Sequence, residues 1–119
     1  MSESAARQVA HRYLELVNAH AYDQIGSLFA LDAVVLGPSG EEVAGRGAIT
    51  ALWAERFSQN GPEEVSAASM VTEGDTCVVE LSPRFSGELE PRAGMVIDHF
   101  TVNAAGEIIR LAIYLRPPS

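Results

Sequence analysis

Gly94-Met95-Val96-Ile97-Asp98-His99-Phe100-Thr101-Val102-Asn103-Ala104-Ala105-Gly106 reads as a β-strand closed by a turn, and it carries one acid among apolar neighbours. Strand side chains alternate between faces, so Val96, Asp98, Phe100 and Val102 share one side while Met95, Ile97, His99 and Thr101 share the other. Asp98 therefore belongs to the apolar side. A charged carboxyl buried there without partners is costly, so Asp98 meets a donor, stays protonated or lines a cavity. A wet sheet edge, or a bond to loop backbone, is the plainer alternative.

Working outward, three further runs read as strands: Val65 to Thr72, Thr76 to Phe85 and Glu107 to Arg116, with the quoted strand itself running from Ala93 to Asn103. Glu73-Gly74-Asp75, Ser86 to Arg92 and Ala104-Ala105-Gly106 separate them. The earlier part of the chain has a different period. From Ser4 to His20, Val9, Tyr13, Leu16, Val17 and His20 recur at helical spacing, with Arg7, Arg12 and Glu15 on the other side. A second, short helix is expected from about Tyr22 to Ala30, on Ile25, Leu28 and Phe29, with Gly26 weakening it. Asp32 to Leu36 reads as a short strand stopped by Gly37-Pro38-Ser39-Gly40. A third helix runs from about Ala48 to Ser58 with Ile49, Leu52, Trp53 and Phe57 on one face, and Asn60-Gly61-Pro62 ends it.

Helices first and strands afterwards predict an α+β domain, with three helices packed on one face of a curved, mainly antiparallel sheet. The strands are apolar on both sides, so the outer face calls for a cover. A two-fold homodimer through Ile97, His99 and Ile113 is the expected one.

The chain has 119 residues, which suits a single domain with one core. Eight Lys and Arg against sixteen Asp and Glu give a formal charge of −8, which repels nucleic acid and anionic lipid surfaces. No apolar run approaches the ~20 residues of a membrane span, and Met1 to Arg7 lacks the features of a signal peptide, so a cytoplasmic location is expected. Cys77 is alone, no Cys/His cluster has metal-ligand spacing, and Arg116 to Ser119 reads as a loose tail.

Arg12-Tyr13-Leu14-Glu15-Leu16-Val17-Asn18-Ala19, Leu28-Phe29-Ala30-Leu31-Asp32-Ala33, Gly45-Arg46-Gly47-Ala48-Ile49 and Ile97-Asp98-His99-Phe100 together resemble the ketosteroid isomerase branch of the nuclear-transport-factor-2-like, or SnoaL-like, superfamily. The resemblance runs from about Val9 to Leu115 and implies a cone of helices and curved sheet around a deep apolar pocket. It implies a steroid-like or polyketide-like hydrophobic ligand and no cofactor. Tyr13 and Asp98 would form an oxyanion hole at the deep end, with Asp98 kept protonated by its apolar site. Val17, Leu52, Trp53, Val96, Phe100 and Leu115 would line the pocket. Phe29 and Trp53 fall where some members carry supporting tyrosines, so Tyr13 is expected to lack some of its hydrogen bonds.

The general base of that branch falls at Gly37, where a glycine leaves an expected empty volume. Loss of a base costs a factor of roughly 10²–10⁴ in proton transfer. His20 and Glu80 are the substitutes considered, while His11, Ser39, Glu41 and Glu42 are expected to be solvated. Two other readings stand beside an isomerase with a weakened or relocated base. One is a non-catalytic binding protein; the other is a polyketide cyclase, dehydratase or epoxide hydrolase relative that uses Asp98 as an ionised acid/base.

Overall fold

Ser4 opens the first helix: its side chain accepts a hydrogen bond from the backbone N–H of Arg7 at 3.2 Å, satisfying a donor that the first helical turn leaves free. The structure is a computed structural model and describes residues 4–116; the tail from Pro117 lies outside the described residues. Helix α1 (Ala5–Asn18) buries Ala6, Val9, Ala10, Tyr13, Leu16 and Val17, the stripe its periodicity predicts. It ends two residues before the expected boundary. His20 takes φ 57°, its N–H bonds Val17 O at 3.1 Å, and the N–H of Ala21 bonds Leu16 O at 2.9 Å. That pattern satisfies the last carbonyls of the helix with a left-handed residue just past its end.

Helix α2 (Tyr22–Ile25) is shorter than expected. A 3-10 turn, Gly26–Leu28, takes over, and β1 (Phe29–Leu36) starts where the sequence suggests helix. Gly26 explains the close packing here, because an added Cβ would lie 2.8 Å from Thr50 Cβ on the third helix. A three-residue strand that the sequence does not announce, β2 (Glu42–Ala44), pairs antiparallel with β1 and leads through Gly45, at φ 96°, into α3 (Arg46–Asn60). Arg46 donates to Phe29 O at 2.8 Å and pairs with Glu107 at 3.3 Å, so the start of α3 is tied to the beginning of β1 and to the residue just before Ile108, the partner of Phe29.

Strands β3 (Glu64–Glu73), β4 (Thr76–Arg84), β5 (Val96–Val102) and β6 (Ile108–Leu115) complete a six-stranded sheet of order β2-β1-β6-β5-β4-β3. Only the β1–β6 pair is parallel, which leaves the sheet mainly antiparallel as expected. The helices cover one face, and the core forms between them around Phe29, Ile49, Phe100, Ile108 and Leu111.

Register decides which residues look inward. Val79, Asp98 and Ile113 are opposite one another across β4, β5 and β6, so all three lie on the helix-covered face. Ile113 is therefore corrected from the outer face to the inner one. Glu80, Ile97 and Tyr114 form the adjacent outward row, where Ile97 and Tyr114 are exposed. A bulge between Thr101 and Val102 breaks the alternation of β6, which is why its sequence pattern does not give its phase. No helix among the described residues is long and apolar enough to cross a membrane.

Candidate functional site

The ladder between β4 and β5 stops at Leu81 and Val96, although β4 runs on to Arg84. Past that point the sheet parts, and a cavity of about 300 Å³ opens between it and helices α1 and α3. Tyr13 and Val17 come from α1, Leu52, Trp53, Arg56 and Phe57 from α3, and Val96, Asp98, Ile113 and Leu115 from the sheet. Asn18 holds the wall in place. Its side-chain amide donates to Val65 O at 3.0 Å and its carbonyl accepts from Val65 N–H at 2.7 Å, which fixes the end of α1 to the start of β3.

Asp98 is 2 % exposed, and its carboxyl makes no hydrogen bond or ion pair with a described residue. No side-chain oxygen sealed in the described interior is left unpartnered, so the Asp98 oxygens open into the cavity. Burial pushes its pKa from 3.8 up to about 7. Tyr13 sits beside it. Its hydroxyl accepts a hydrogen bond from the Trp53 indole N–H at 3.2 Å. An indole can only donate, so the phenolic hydrogen is free for another acceptor. Burial raises the Tyr13 pKa well above its ordinary value and the Asp98 charge raises it further, while the Trp53 bond acts the other way. Tyr13 and Asp98 thus share one apolar cavity, and burial favours the neutral form of each. Trp53, one of the two positions that lack a supporting tyrosine, still gives Tyr13 one hydrogen bond through its indole.

Phe100 is not on the cavity. It lies one inward step beyond Asp98 and is 1 % exposed, with its ring edge-on to Tyr13 at 5.2 Å, where it backs the tyrosine and does not meet a ligand. Phe29 likewise stacks behind Trp53 at 6.0 Å. Tyr13, Val17, Leu52, Trp53, Val96, Asp98 and Leu115 are the sequence-selected residues that the fold brings onto one cavity.

Gly37 does not line the cavity either, and its surroundings are not empty. The β1–β2 pairing places Leu36 opposite Glu42, and Gly37 N–H continues the ladder to Glu41 O at 2.8 Å. Gly37 and Glu41 are thus cross-strand neighbours with their side-chain directions on one face. An added Cβ at Gly37 would lie 2.6 Å from Glu41 Cγ, so the Glu41 side chain already leans over the glycine. The parallel register carries Leu36 beside Ala112 and therefore Gly37 beside Ile113, the neighbour of Asp98. Three strand spacings, about 14 Å, separate Glu41's position from Asp98 across the sheet. Glu41 is exposed and lies outside the cavity lining, which Pro38 joins.

His20 and Glu80 are elsewhere. His20 caps α1 and hydrogen-bonds Glu63 O at 3.1 Å, and Glu80 stands on the outward row opposite Ile97. Glu41 is exposed as the sequence predicts, and its contact with Gly37 follows from β2, which the sequence does not announce. Among the described residues no three His, Cys, Asp or Glu side chains group to hold a metal ion.

No curated protein matches the chain. Solved structures resemble it at low identity. An NTF-2 like protein of unknown function from Burkholderia xenovorans LB400 superposes with a TM-score of 0.77 at 21 % identity, covering 97 % of this chain and 85 % of its own. A protein with a ketosteroid isomerase-like fold from Catenulispora acidiphila DSM 44928, in complex with trimethylamine, gives 0.71 at 18 %, with 89 % and 83 % covered. The epoxide hydrolase/cyclase-like enzyme SalBIII, of pyran ring formation in the polyether salinomycin, gives 0.74 at 18 %, with 93 % and 90 % covered. These likenesses establish the NTF2-like fold. The model of the SnoaL-like domain matches residues 10–111, from within α1 to within β6, and the chain accordingly belongs to the SnoaL-like family.

Proposed function

We propose that the protein binds a flat, hydrophobic ketone or phenol and, as a steroid delta-isomerase-like enzyme, moves a proton between carbons of the ketone. The observation that carries this reading is the Asp98 carboxyl, which has no partner in the described protein and opens into an apolar cavity beside the free Tyr13 hydroxyl hydrogen. Removing a proton from carbon next to a carbonyl puts negative charge on oxygen, and preorganised donors in a dry site stabilise that charge as it forms. Tyr13 and protonated Asp98 are those donors. Glu41 takes the role of base: its carboxylate accepts the carbon-bound proton and returns it to a second carbon of the dienolate, so the step is redox-neutral.

The test is isomerisation of a Δ5-3-ketosteroid, followed by ultraviolet absorbance. Wild-type turnover that falls at least 100-fold in Glu41→Gln, with binding of 2-naphthol unchanged, supports the assignment. Turnover unaffected by Glu41→Gln overturns Glu41 as the base. Steroid or phenol binding without turnover in any variant establishes a binding protein.

A second reading has its own support. An acid that titrates near pH 7 also suits proton exchange during cyclisation or epoxide opening, as in a polyketide cyclase, dehydratase or epoxide hydrolase relative. Opening of a model epoxide that is lost in Asp98→Asn, with no isomerisation, selects it.

A further inference from the structure

The cavity has a third polar side chain. Apart from Tyr13 and Asp98, Arg56 is the one lining residue that carries an ionisable group. Trp53, three residues earlier on α3, is 3 % exposed and reaches Tyr13, whereas Arg56 is exposed. The arginine therefore stands at the mouth, one helical turn from the group that supports the closed end.

Most arginines of this chain are committed. Arg12 pairs with Glu15, Arg46 with Glu107, Arg84 with Glu63 and Arg92 with Glu88. Arg7 reaches Met70 O and Thr72. Arg56 makes no hydrogen bond or ion pair with a described residue, although sixteen acids are available in a chain of net charge −8. A guanidinium is always charged, and its aliphatic stem lies comfortably along apolar surface while the head stays wet.

We propose that Arg56 is a specificity residue that selects ligands with an anionic group, a carboxylate in the first instance, at the end opposite the ketone or phenol oxygen. The proposal rests on the reading of Tyr13 and Asp98 as the oxygen-binding end. Orientation follows from chemistry. A carboxylate at the closed end would meet Asp98 in apolar surroundings, whereas at the mouth it meets a planar guanidinium able to bind it with two parallel hydrogen bonds. The ligand class is an elongated, flat hydroxy- or oxo-acid, neutral at one tip and anionic at the other. The surrounding acidic surface repels anions in general, so Arg56 acts by contact and not by long-range attraction.

The experiment compares 2-naphthol with 6-hydroxy-2-naphthoate by calorimetry at pH 6, where the added carboxyl is ionised. Wild type, Arg56→Met, Arg56→Lys and the Tyr13→Phe/Asp98→Asn double variant are used. Wild type is expected to bind the naphthoate about tenfold more tightly than 2-naphthol. The advantage disappears in Arg56→Met, is partly kept in Arg56→Lys, and shrinks in 0.5 M salt (roughly a 4 Å Debye length). Equal affinities in wild type, or an advantage that survives Arg56→Met, overturn the proposal. If the Arg56-dependent advantage persists but 2-naphthol binds equally well to the double variant, the oxygen-binding reading fails while the Arg56 assignment stands. If neither compound binds wild type, both fall.

Discussion

One carboxylic acid lines the cavity and another stands outside it, and the two are built in opposite ways. Asp98 sits inside a strand with neighbours on both sides and is 2 % exposed. Glu41 projects from a turn beside a three-residue strand at the sheet's edge, and it stays exposed. Burial favours the protonated form of the first. In the proposed reading, two residues of one chemical type are divided between donor and acceptor by their position in the sheet.

The comparison breaks most visibly if the roles can be moved. With Glu41→Gln abolishing isomerisation by a factor of about 10² or more, adding Gly37→Asp should restore a large part of it. The new side chain would occupy the space that Glu41 now covers, on the same inward row as Ile113. Gly37→Asp alone should change the rate little, because Glu41 must be displaced for the new acid to fit. Rates from stopped-flow or steady-state absorbance decide between these outcomes.

Asp98→Asn tests the other acid through stability. At pH values below 3.8 the carboxyl is protonated in the folded and unfolded chain alike. Between 3.8 and about 7 only the unfolded chain releases the proton, so this group makes wild-type stability fall as pH rises through that window and level off above it. The full effect approaches 4 kcal/mol on the scale of ~1.4 kcal/mol per pH unit. Asp98→Asn should therefore be more stable than wild type at pH 8, by about 4 kcal/mol, with the difference vanishing near pH 4. Urea unfolding at both pH values reads it, and a difference independent of pH would show that Asp98 is not held protonated.

Binding should follow the same group. The affinity for a neutral phenol should fall as pH rises through about 7, when the Asp98 donor is lost and a repulsive charge appears. Fluorescence titration between pH 5.5 and 8.5 measures this. The smallest effect belongs to Trp53→Phe, which removes the 3.2 Å bond to Tyr13 but keeps the ring. A loss of about 1 kcal/mol in phenol binding is expected.

Much of this division is legible in sequence. Strand alternation alone puts Asp98 among Val96, Phe100 and Val102, and helical spacing alone puts Tyr13 and Val17 on the buried stripe. Alternation gives the face and not the depth, so Phe100, inward like Asp98, falls behind the tyrosine and not on the cavity. The Trp53–Tyr13 bond joins residues forty positions apart and leaves no local trace. Phe29 and Ala30 belong to a short apolar run whose composition suits helix and strand equally, and pairing with β6 settled it as strand. β2, with three residues, is too short to show a period, so the pairing that sets Glu41 beside Gly37 is not legible, although the exposure of Glu41 is.

The parting of β4 from β5 beyond Leu81 has a consequence for how this scaffold changes over time. From Phe85 to Met95 the chain forms a strap, with Glu88 accepting from Phe85 N–H at 2.9 Å and from Arg92 at 3.0 Å, and it is tied to β4 by Arg92 N–H to Pro83 O at 2.8 Å and by Gly94 N–H to Ser82 Oγ at 2.9 Å. Phe85 and Met95, at the strap's two ends, line the cavity, yet neither belongs to the paired part of the ladder that carries Asp98. Residues can be inserted, deleted or exchanged in the strap, and the opening lengthened or narrowed, with the donor end left as it is. The strap's share of the cavity lining and the Tyr13–Asp98 pair thus come from separate stretches of chain, and drift in one need not disturb the other.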